Sequence, residues 1–306
     1  MNNEALQLKL LELLKLTGES GIDITDELDM LENKVKETSK TDAAWNSVEL
    51  ARHPERPYAL DYINRIFDDF TELHGDRYHG DDPAIVGGLA FLDGRPVTII
   101  ANQKGRTLTE RVHRNAGMAN PEGYRKALRL AKEAEKFRRP IITFVDTVGA
   151  YPGLGAEERG IGESIARNLR DFSHLKTPIV CIIIGEGGSG GALGICVGDK
   201  VYMLENAIYS VISPEGCASI LLRDASQAKN AATMLRITSA DLLNFNVINA
   251  IINEPSGGAH THPDTVASSI KEILLNDIAD LQSRNPEVLV RYRNQKIRTI
   301  GHWNEN

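Results

Sequence analysis

The sequence IVCIIIGEGGSGGALGICVG, residues 179–198, joins an apolar run to a glycine-rich turn. Six of the ten residues from Gly185 to Gly194 are glycine. The run Ile179–Ile184 predicts a strand that is buried on both faces, and the turn leads into a predicted helix. Unpaired N–H groups at such a turn, together with the helix dipole, can bind a phosphate or stabilise an oxyanion. The glycines could instead only permit close packing between strand and helix.

Two known motifs overlap in this turn. Gly185, Gly187 and Gly190 match the dinucleotide fingerprint G-x-G-x-x-G. Gly187, Ser189 and Gly191 match the nucleophile elbow G-x-S-x-G. The dinucleotide interpretation is weak because its helix would contain further glycines, and because the fingerprint usually lies in the first βαβ unit of a chain. The hydrolase interpretation needs an acid and a base later in the chain, and the candidates are Asp224, Asp241, His260 and His262.

A second glycine turn, DTVGAYPGLGAEERG at 146–160, follows the apolar run Ile141–Thr147. Two such turns at the ends of successive strands could face one cleft from two sides, whereas a mononucleotide fold needs only one. The residues by themselves therefore favour anion stabilisation by backbone amides, and they leave the substrate open.

Strand and helix patterns alternate around the two turns. The segment 120–140 carries a helix, with Pro121 at its first position and Pro140 after its end. This alternation predicts an α/β core. The predicted strands are Val97–Gln103, Ile141–Thr147 and Ile179–Ile184, and two further helices are predicted over Glu157–Phe172 and Pro263–Ser283.

The two ends of the chain differ from this core. Apolar residues recur at helical spacing in Ala5–Leu16 and in Ile22–Lys40. The sequence ARHPERPY (51–58) contains two prolines and ends any preceding helix. We predict three parts: a helical N-terminal extension at 1–50, the main domain at 51–285, and a polar, peripheral tail at 286–306.

Composition excludes several classes of protein. With 306 residues and a formal charge of −7, the chain lacks the basic field of a general nucleic-acid binder. No apolar run approaches the roughly 20 residues that cross a bilayer, and the N-terminus does not resemble a signal peptide. The cysteines at 181, 196 and 217 form no C-x-x-C pair, so we expect buried thiols, no metal site on this chain and a cytoplasmic location.

Longer motifs along residues 50–260 resemble one family, the alpha subunits of bacterial acetyl-CoA carboxylase carboxyltransferase. They occur in the family's order and cover most of the chain. The motifs are ELARHPERPYALDYI, DDPAIVGGLA, QKGR, GMANPEGYRKALRLAKEAEKF, IITFVDTVGAYPG, AEERG, IARNL, IGEGGSGGAL, VGDKVYMLENAIYSVISPEGCASIL and EPSGGAH.

This resemblance implies a crotonase-like (ClpP/crotonase) fold, a spiral of ββα units in the α/β class. It implies transfer of a carboxyl group from carboxybiotin, held on the biotin carboxyl carrier protein, to acetyl-CoA, which gives malonyl-CoA for fatty acid synthesis. The family's alpha subunit works with a beta subunit, usually as an α2β2 heterotetramer, alongside biotin carboxylase. The family's zinc ribbon belongs to beta, which agrees with the absence of a cysteine framework here.

The resemblance also implies site residues. The amides of Gly190 and Gly191 correspond to the pair that holds the ureido oxygen of biotin, so that Ser189 becomes a turn residue. The basic loop at 103–118 could meet the phosphates of CoA, or it could be a solvated face or an interface with beta. The predicted substrate-binding residues are Gly149, Ala150, Tyr151, Gly187, Gly188, Lys104 and Arg106.

Three positions near the first glycine turn depart from the family pattern. Val148 replaces a proline, Ala116 a phenylalanine and Ile161 a glutamine. A divergent second copy with altered activity would show such changes. Two alternatives to the carboxyltransferase remain at this point: a stand-alone crotonase-type acyl-CoA hydrolase or hydratase, and a non-catalytic scaffold.

Overall fold

The computed structural model describes residues 41–301. The helices predicted over Ala5–Leu16 and Ile22–Lys40 lie outside this range. The chain divides into two compact units, of which one comprises Met1–Asn46 and Pro214–Arg236 and the other Ser47–Ser213 and Ile237–Asn306. We call the second the sheet unit, because all the described strands and both glycine turns belong to it.

The sheet unit contains one mixed sheet of eight strands in the order β1-β2-β3-β4-β5-β6-β8, with β7 paired to β5. The pairs β1/β2 and β2/β3 are antiparallel, and the remaining pairs are parallel. The strands are β1 Asp68–Glu72, β2 Ile85–Leu92, β3 Arg95–Asn102, β4 Ile141–Thr147, β5 Ile179–Gly188, β6 Lys200–Leu204, β7 Ile208–Ser210 and β8 Ala250–Ile252.

Helices connect and cover these strands. Residues 41–51 form α1 within the described range. In the sheet unit the others are α2 Ala59–Ile66, α3 Leu108–His113, α4 Pro121–Lys136, α5 Leu154–Glu158, α6 Ile161–His174, α7 Ser189–Leu193, α10 Ser239–Asn244, α11 Pro263–Ser283 and α12 Pro286–Arg298. The other unit contains α8 Pro214–Cys217, a π-helical turn Ala218–Leu222, a 3-10 turn Ala225–Gln227 and α9 Ala228–Leu235.

The apolar runs form the strands as predicted. Every residue of β4 is buried, and so are the first nine of the ten residues of β5. Parallel strands in the middle of a sheet are covered on both faces, which explains why both are continuous apolar runs. The strand predictions are therefore confirmed, and β5 continues past Ile184 into the glycine turn.

The helix predictions are confirmed over α4 and α11, and α4 begins with Pro121 at its first position. Phe137, at the C-terminal end of α4, is exposed, and the guanidinium of Arg139 lies 5.1 Å from its ring centroid. The helix predicted over Glu157–Phe172 is two helices, α5 and α6. Gly160 separates them in the left-handed region with φ +80, which a continuous helix does not allow.

Residues 286–298, which the sequence assigns to a peripheral tail, form a helix that carries a buried ion pair. Arg293 is 1% exposed. Its guanidinium donates to the carboxylate of Asp199 at 2.7 and 3.0 Å and to the carbonyl oxygens of Phe172 and Leu175 at 2.8 Å. The polar sequence of this helix does not reveal that Arg293 anchors it, because the partner carboxylate, Asp199, is 94 residues earlier in the chain. The boundaries at 50/51 and 285/286 stay a prediction.

Within residues 41–301 no helix is long and apolar enough to cross a membrane.

Candidate active site at two glycine turns

The two glycine turns are in direct backbone contact. They follow the neighbouring parallel strands β4 and β5, and Thr147 is paired with Gly187. A Cβ atom on Gly188 would overlap the carbonyl of Val148, and one on Gly191 would overlap the carbonyl carbon of Gly149. Since main chain stands on the other side, no rotamer could relieve these overlaps. Close packing therefore requires glycine at both positions.

Helix α7, which begins at the second turn, is fixed from behind by two buried side chains. The hydroxyl of Tyr124 donates to the carbonyl oxygen of Gly191 at 3.2 Å. The amide of Asn168 donates to the carbonyl oxygens of Gly194 and Tyr124 at 2.9 and 3.0 Å. A Cβ on Gly194 would lie 2.7 Å from the Tyr124 ring. Burial raises the pKa of Tyr124, so its hydroxyl stays protonated and able to donate.

Gly190 differs from the other glycines of this turn. The nearest atoms to a Cβ built there are two carbons of Ile165, both at 3.7 Å, which is an ordinary contact. Packing therefore does not require glycine at 190. Gly190 and Gly191 both lie in the first turn of α7, where the helix itself supplies no carbonyl for the N–H groups. A bare backbone at 190 would leave these two amides open to a ligand.

A largely buried ion-pair cluster connects β4 and β5 with the segment that follows β3. We call it the Lys104 cluster; it consists of Arg52, Lys104, Asp146 and Glu186. The ammonium of Lys104 lies 2.7 Å from Asp146 Oδ1 and 2.9 Å from Glu186 Oε1. Arg52 Nε donates to Glu186 Oε2 at 2.8 Å. The cluster contains two cations and two anions, so its formal charge is balanced.

The pKa values within the cluster follow from burial and ion pairing. Burial alone would lower the pKa of Lys104, but Asp146 and Glu186 raise it above its usual range. Burial alone would raise the pKa of Glu186, but Lys104 and Arg52 lower it below its usual range. Both groups are therefore charged at neutral pH.

The second basic residue of QKGR is also paired. Arg106 Nη2 donates to Asp61 Oδ2 at 2.5 Å, and its guanidinium lies 4.8 Å from the centroid of the Tyr58 ring. Its side chain is 43% exposed, whereas that of Lys104 is 9% exposed. The phosphate-binding role of both residues stays a prediction, and in the structure each cation already has a carboxylate partner in the same chain.

The basic face of α4, which adjoins this loop, pairs with acids of the segment 76–82. Arg125 Nε donates to Asp76 Oδ2 at 2.8 Å. The buried ammonium of Lys126 lies 2.6 Å from Asp81 Oδ1. Burial alone would raise the pKa of Asp76, but hydrogen bonds from Arg125 and from three backbone amides lower it to about 2. The α4 cations thus act as internal ion-pair partners.

Ser189 begins α7 in the left-handed region with φ +49. The acids and bases that a hydrolase would need contact other groups. His260 stacks on His53 with their ring centroids 3.7 Å apart. The remaining candidates bond to near neighbours: Asp224 to Ser226, Asp241 to Thr238, and His262 to Thr261.

The three family departures have distinct settings. Val148 is 47% exposed on the first turn, and its carbonyl faces Gly188. Ala116 has φ +51, in the left-handed region that disfavours side chains larger than glycine. Ile161 is buried in the core, where an apolar side chain fits better than a glutamine.

The residues described hold no group of three or more His, Cys, Asp or Glu side chains that could bind a metal ion.

The sequence interpretation named Lys104 as a candidate substrate-binding residue, but it did not find the pairing of Lys104 with Asp146 and Glu186 or the supporting roles of Tyr124 and Asn168. Glu186 and Asp146 are charged residues at the ends of strongly apolar strands, and Lys104 follows a third strand. Burying an unpaired carboxylate costs much free energy, so acidic residues at the ends of apolar strands indicate buried ion pairs. This was the signal in the sequence that could have revealed the cluster. Tyr124 and Asn168 had no distinguishing signal, because both lie on ordinary helical faces.

Solved structures of similar fold establish the fold class. The chain matches transcarboxylase 12S with a TM-score of 0.56 and 23% identity, covering 69% of this chain and 40% of that one. It matches the geranyl-CoA carboxylase beta subunit of P. aeruginosa with a TM-score of 0.58 and 15% identity, covering 76% and 44%. A Pseudomonas malonate decarboxylase hetero-tetramer in complex with coenzyme A gives a TM-score of 0.57 and 16% identity, covering 72% and 90%. The fold is crotonase-like, as predicted.

Sequence comparisons identify the family within this class. The family model described as acetyl co-enzyme A carboxylase carboxyltransferase-like matches residues 2–301. The acetyl-coenzyme A carboxylase carboxyl transferase subunit alpha of Treponema denticola is 66% identical, over 98% of each chain. The subunit of that name from Alkaliphilus oremlandii is 52% identical, over 97% of this chain and 96% of that one.

The chain therefore belongs to the family of acetyl-CoA carboxylase carboxyltransferase alpha subunits. The family prediction and the carboxyltransferase class are confirmed, and the stand-alone hydrolase is not favoured.

Proposed function

We propose that this chain carries the biotin-side half of a carboxyltransferase active site. It transfers the carboxyl group of carboxybiotin, presented by the biotin carboxyl carrier protein, to acetyl-CoA, and malonyl-CoA is the product. The observation that carries this proposal is the backbone contact between the two glycine turns, which leaves Gly190 as the one glycine of α7 that packing does not require.

The amides of Gly190 and Gly191 act as the oxyanion hole. Negative charge grows on the ureido oxygen as the carboxyl group departs, and two fixed N–H donors stabilise that charge more than the neutral ground state. Losing one such donor costs about 2.7–4 kcal/mol in barrier. Tyr124 and Asn168 keep α7 from moving, so the donors need no reorganisation during reaction. No side-chain nucleophile is needed, and Ser189 is a turn residue.

The remaining predicted contacts surround these amides. We infer that Gly149, Ala150 and Tyr151 of the first turn and Gly187 and Gly188 of the second contact the biotin ring.

We propose that Arg106 contacts the phosphates of CoA. Arg106 is the exposed member of the predicted pair, and it reaches a phosphate only by exchanging Asp61 for it. We therefore expect its contribution to appear in the affinity for acetyl-CoA.

We further propose that the chain works with a carboxyltransferase beta subunit in an α2β2 assembly, together with biotin carboxylase and the carrier protein in the cytoplasm. Large apolar side chains on the elements of the two turns are exposed, namely Val148, Leu154 and Leu193. Exposed apolar groups of this size beside a site favour burial by a partner. The Pseudomonas malonate decarboxylase of similar fold is a hetero-tetramer.

The direct test is reconstitution. The chain is co-purified with a beta subunit, supplied with biotin carboxylase, biotinylated carrier, ATP, bicarbonate and acetyl-CoA, and assayed for malonyl-CoA. We expect product from the complex and none from the chain alone. A folded complex that forms no malonyl-CoA would contradict the proposal. Thioester hydrolysis by the chain alone, abolished by Ser189→Ala, would favour the hydrolase.

A further inference from the structure

The Lys104 cluster lies where the ordinary pairing of β4 and β5 breaks. Val145 pairs with Ile183, and the next pair is Thr147 with Gly187. One residue of β4, Asp146, therefore stands opposite the three residues 184–186 of β5. Such a bulge bends its strand and changes the direction of the chain beyond it. Here the chain beyond the bulge forms the two glycine turns.

The carboxylate of Asp146 replaces the missing ladder contact. Its Oδ1 accepts a hydrogen bond from the amide of Glu186 at 2.9 Å. The carboxylate occupies the place of a side chain at 185, where a Cβ atom would overlap it, so Gly185 is needed for this contact. Asp146 thus holds the extra residues of β5 in position by a side chain.

Lys104 is the cation that makes this arrangement stable. Its ammonium lies within 2.9 Å of the acids on both strands, 2.7 Å from Asp146 Oδ1 and 2.9 Å from Glu186 Oε1. Two carboxylates so close together repel each other strongly unless a cation lies between them. Lys104 therefore ties the end of β4 to the end of β5.

The surroundings of Lys104 separate it from solvent. Gly117 covers it in the left-handed conformation with φ +83, and a Cβ there would lie 3.0 Å from Lys104 Cγ and 2.9 Å from the carbonyl oxygen of Asp146. Lys104 is 7% exposed. A buried ammonium with two carboxylate partners is poorly placed to bind a phosphate of CoA.

We propose that Lys104 is a positioning residue, which sets the spacing of the two glycine turns through Asp146 and Glu186. This inference rests on the proposed function, in which the second turn supplies the oxyanion hole. It predicts that loss of Lys104 lowers the rate of carboxyl transfer and leaves the affinity for acetyl-CoA in place, because a misplacement of about 1 Å can cost on the order of 10²-fold in rate.

The first experiment measures kinetics on the reconstituted complex. Lys104→Met should lower kcat about 10- to 100-fold and leave KM for acetyl-CoA within about twofold. The same loss should occur with acetyl-pantetheine, which lacks the nucleotide phosphates. Lys132→Met, at an exposed lysine of α4, is the matched control and should behave as wild type. A raised KM with unchanged kcat, seen only with acetyl-CoA, would overturn the proposal in favour of phosphate binding.

A second variant covers the case in which Lys104→Met fails to fold. The double variant Lys104→Met with Glu186→Gln removes one cation and one anion, so the cluster keeps its charge balance. It should fold and still transfer slowly. Wild-type kcat in the folded double variant would overturn the positioning role.

The second experiment does not depend on enzymatic activity. Hydrogen exchange followed by mass spectrometry should show faster exchange at 147–150 and at 187–191 in the variant, with no change in the β2–β3 hairpin. Unchanged exchange at both turns would overturn the inference. If the wild-type complex makes no malonyl-CoA, the proposed function fails, and the exchange result still decides whether Lys104 holds the turns.

Discussion

Replacement of Gly190 by valine or alanine tests the oxyanion hole most directly, because the structure separates its effect on folding from its effect on transfer. A Cβ at 190 meets only Ile165, at 3.7 Å, and the residue has no left-handed φ. In a helix, alanine is favoured over glycine by about 0.5–1 kcal/mol, and valine is close to glycine or slightly better. At about 2–4 °C per kcal/mol, the midpoint of thermal unfolding should stay the same or rise by a few degrees.

The rate of carboxyl transfer, by contrast, should fall in these variants. The side chain of valine at 190 stands beside the two amides and keeps the ureido oxygen from reaching them. We expect a loss of about 10²–10³ in kcat, the size of one lost oxyanion donor, or about 2.7–4 kcal/mol. Alanine, with one methyl group, should lose less than valine.

The measurement pairs malonyl-CoA formation by the reconstituted complex with thermal unfolding followed by circular dichroism. The control is Gly162→Val. Gly162 is the second residue of α6, as Gly190 is of α7, and a Cβ there has no atom within 4 Å. The Gly162→Val variant should show a similarly small change in the midpoint of thermal unfolding and should keep full transfer activity. A folded Gly190→Val variant that transfers at the wild-type rate would refute the assignment of these amides.

The contacts support four more predictions. Gly191→Ala should cost about 1–3 kcal/mol or more in the free energy of unfolding, measured in urea, because its Cβ meets backbone. Arg293→Met should cost about 3–5 kcal/mol in the same measurement, since it leaves a buried carboxylate unpaired; an unchanged midpoint would contradict the anchoring role of α12. Folding lowers the pKa of Glu186, so the ionised carboxylate stabilises the protein above about pH 4.3, and this stabilisation is lost as the pH falls through the folded pKa. In Glu186→Gln the free energy of unfolding should therefore fall less steeply on acidification. An equally steep fall in the variant would contradict this role of Glu186. Ser189→Ala should retain transfer within about twofold, and a loss comparable to that expected for Gly190→Val would point to a catalytic hydroxyl.

Local pattern in the sequence was sufficient for the elements that form the site. Continuous apolar runs predicted β4 and the start of β5, and proline at both ends marked α4. Both glycine turns were interpreted as possible anion sites from their composition alone. These features depend on residues within one strand, helix or turn, and so the physical signal lies within a short window of the chain. The family motifs added the reaction and the residues at 190 and 191.

The tertiary structure decided how each glycine in those turns is packed. The sequence does not distinguish between the glycines. In the structure, the packing of one turn on the other requires glycine at 188 and 191 but not at 190. Sequence also presents Lys104 as part of a basic loop, whereas folding directs it inward to Glu186, 82 residues away. Arg293 likewise pairs with a carboxylate 94 residues earlier. Periodicity and composition reveal which segments are buried. The role of a buried charge, however, depends on its ion-pair partner, and partners so distant in sequence meet only when the sheet and its helices have assembled.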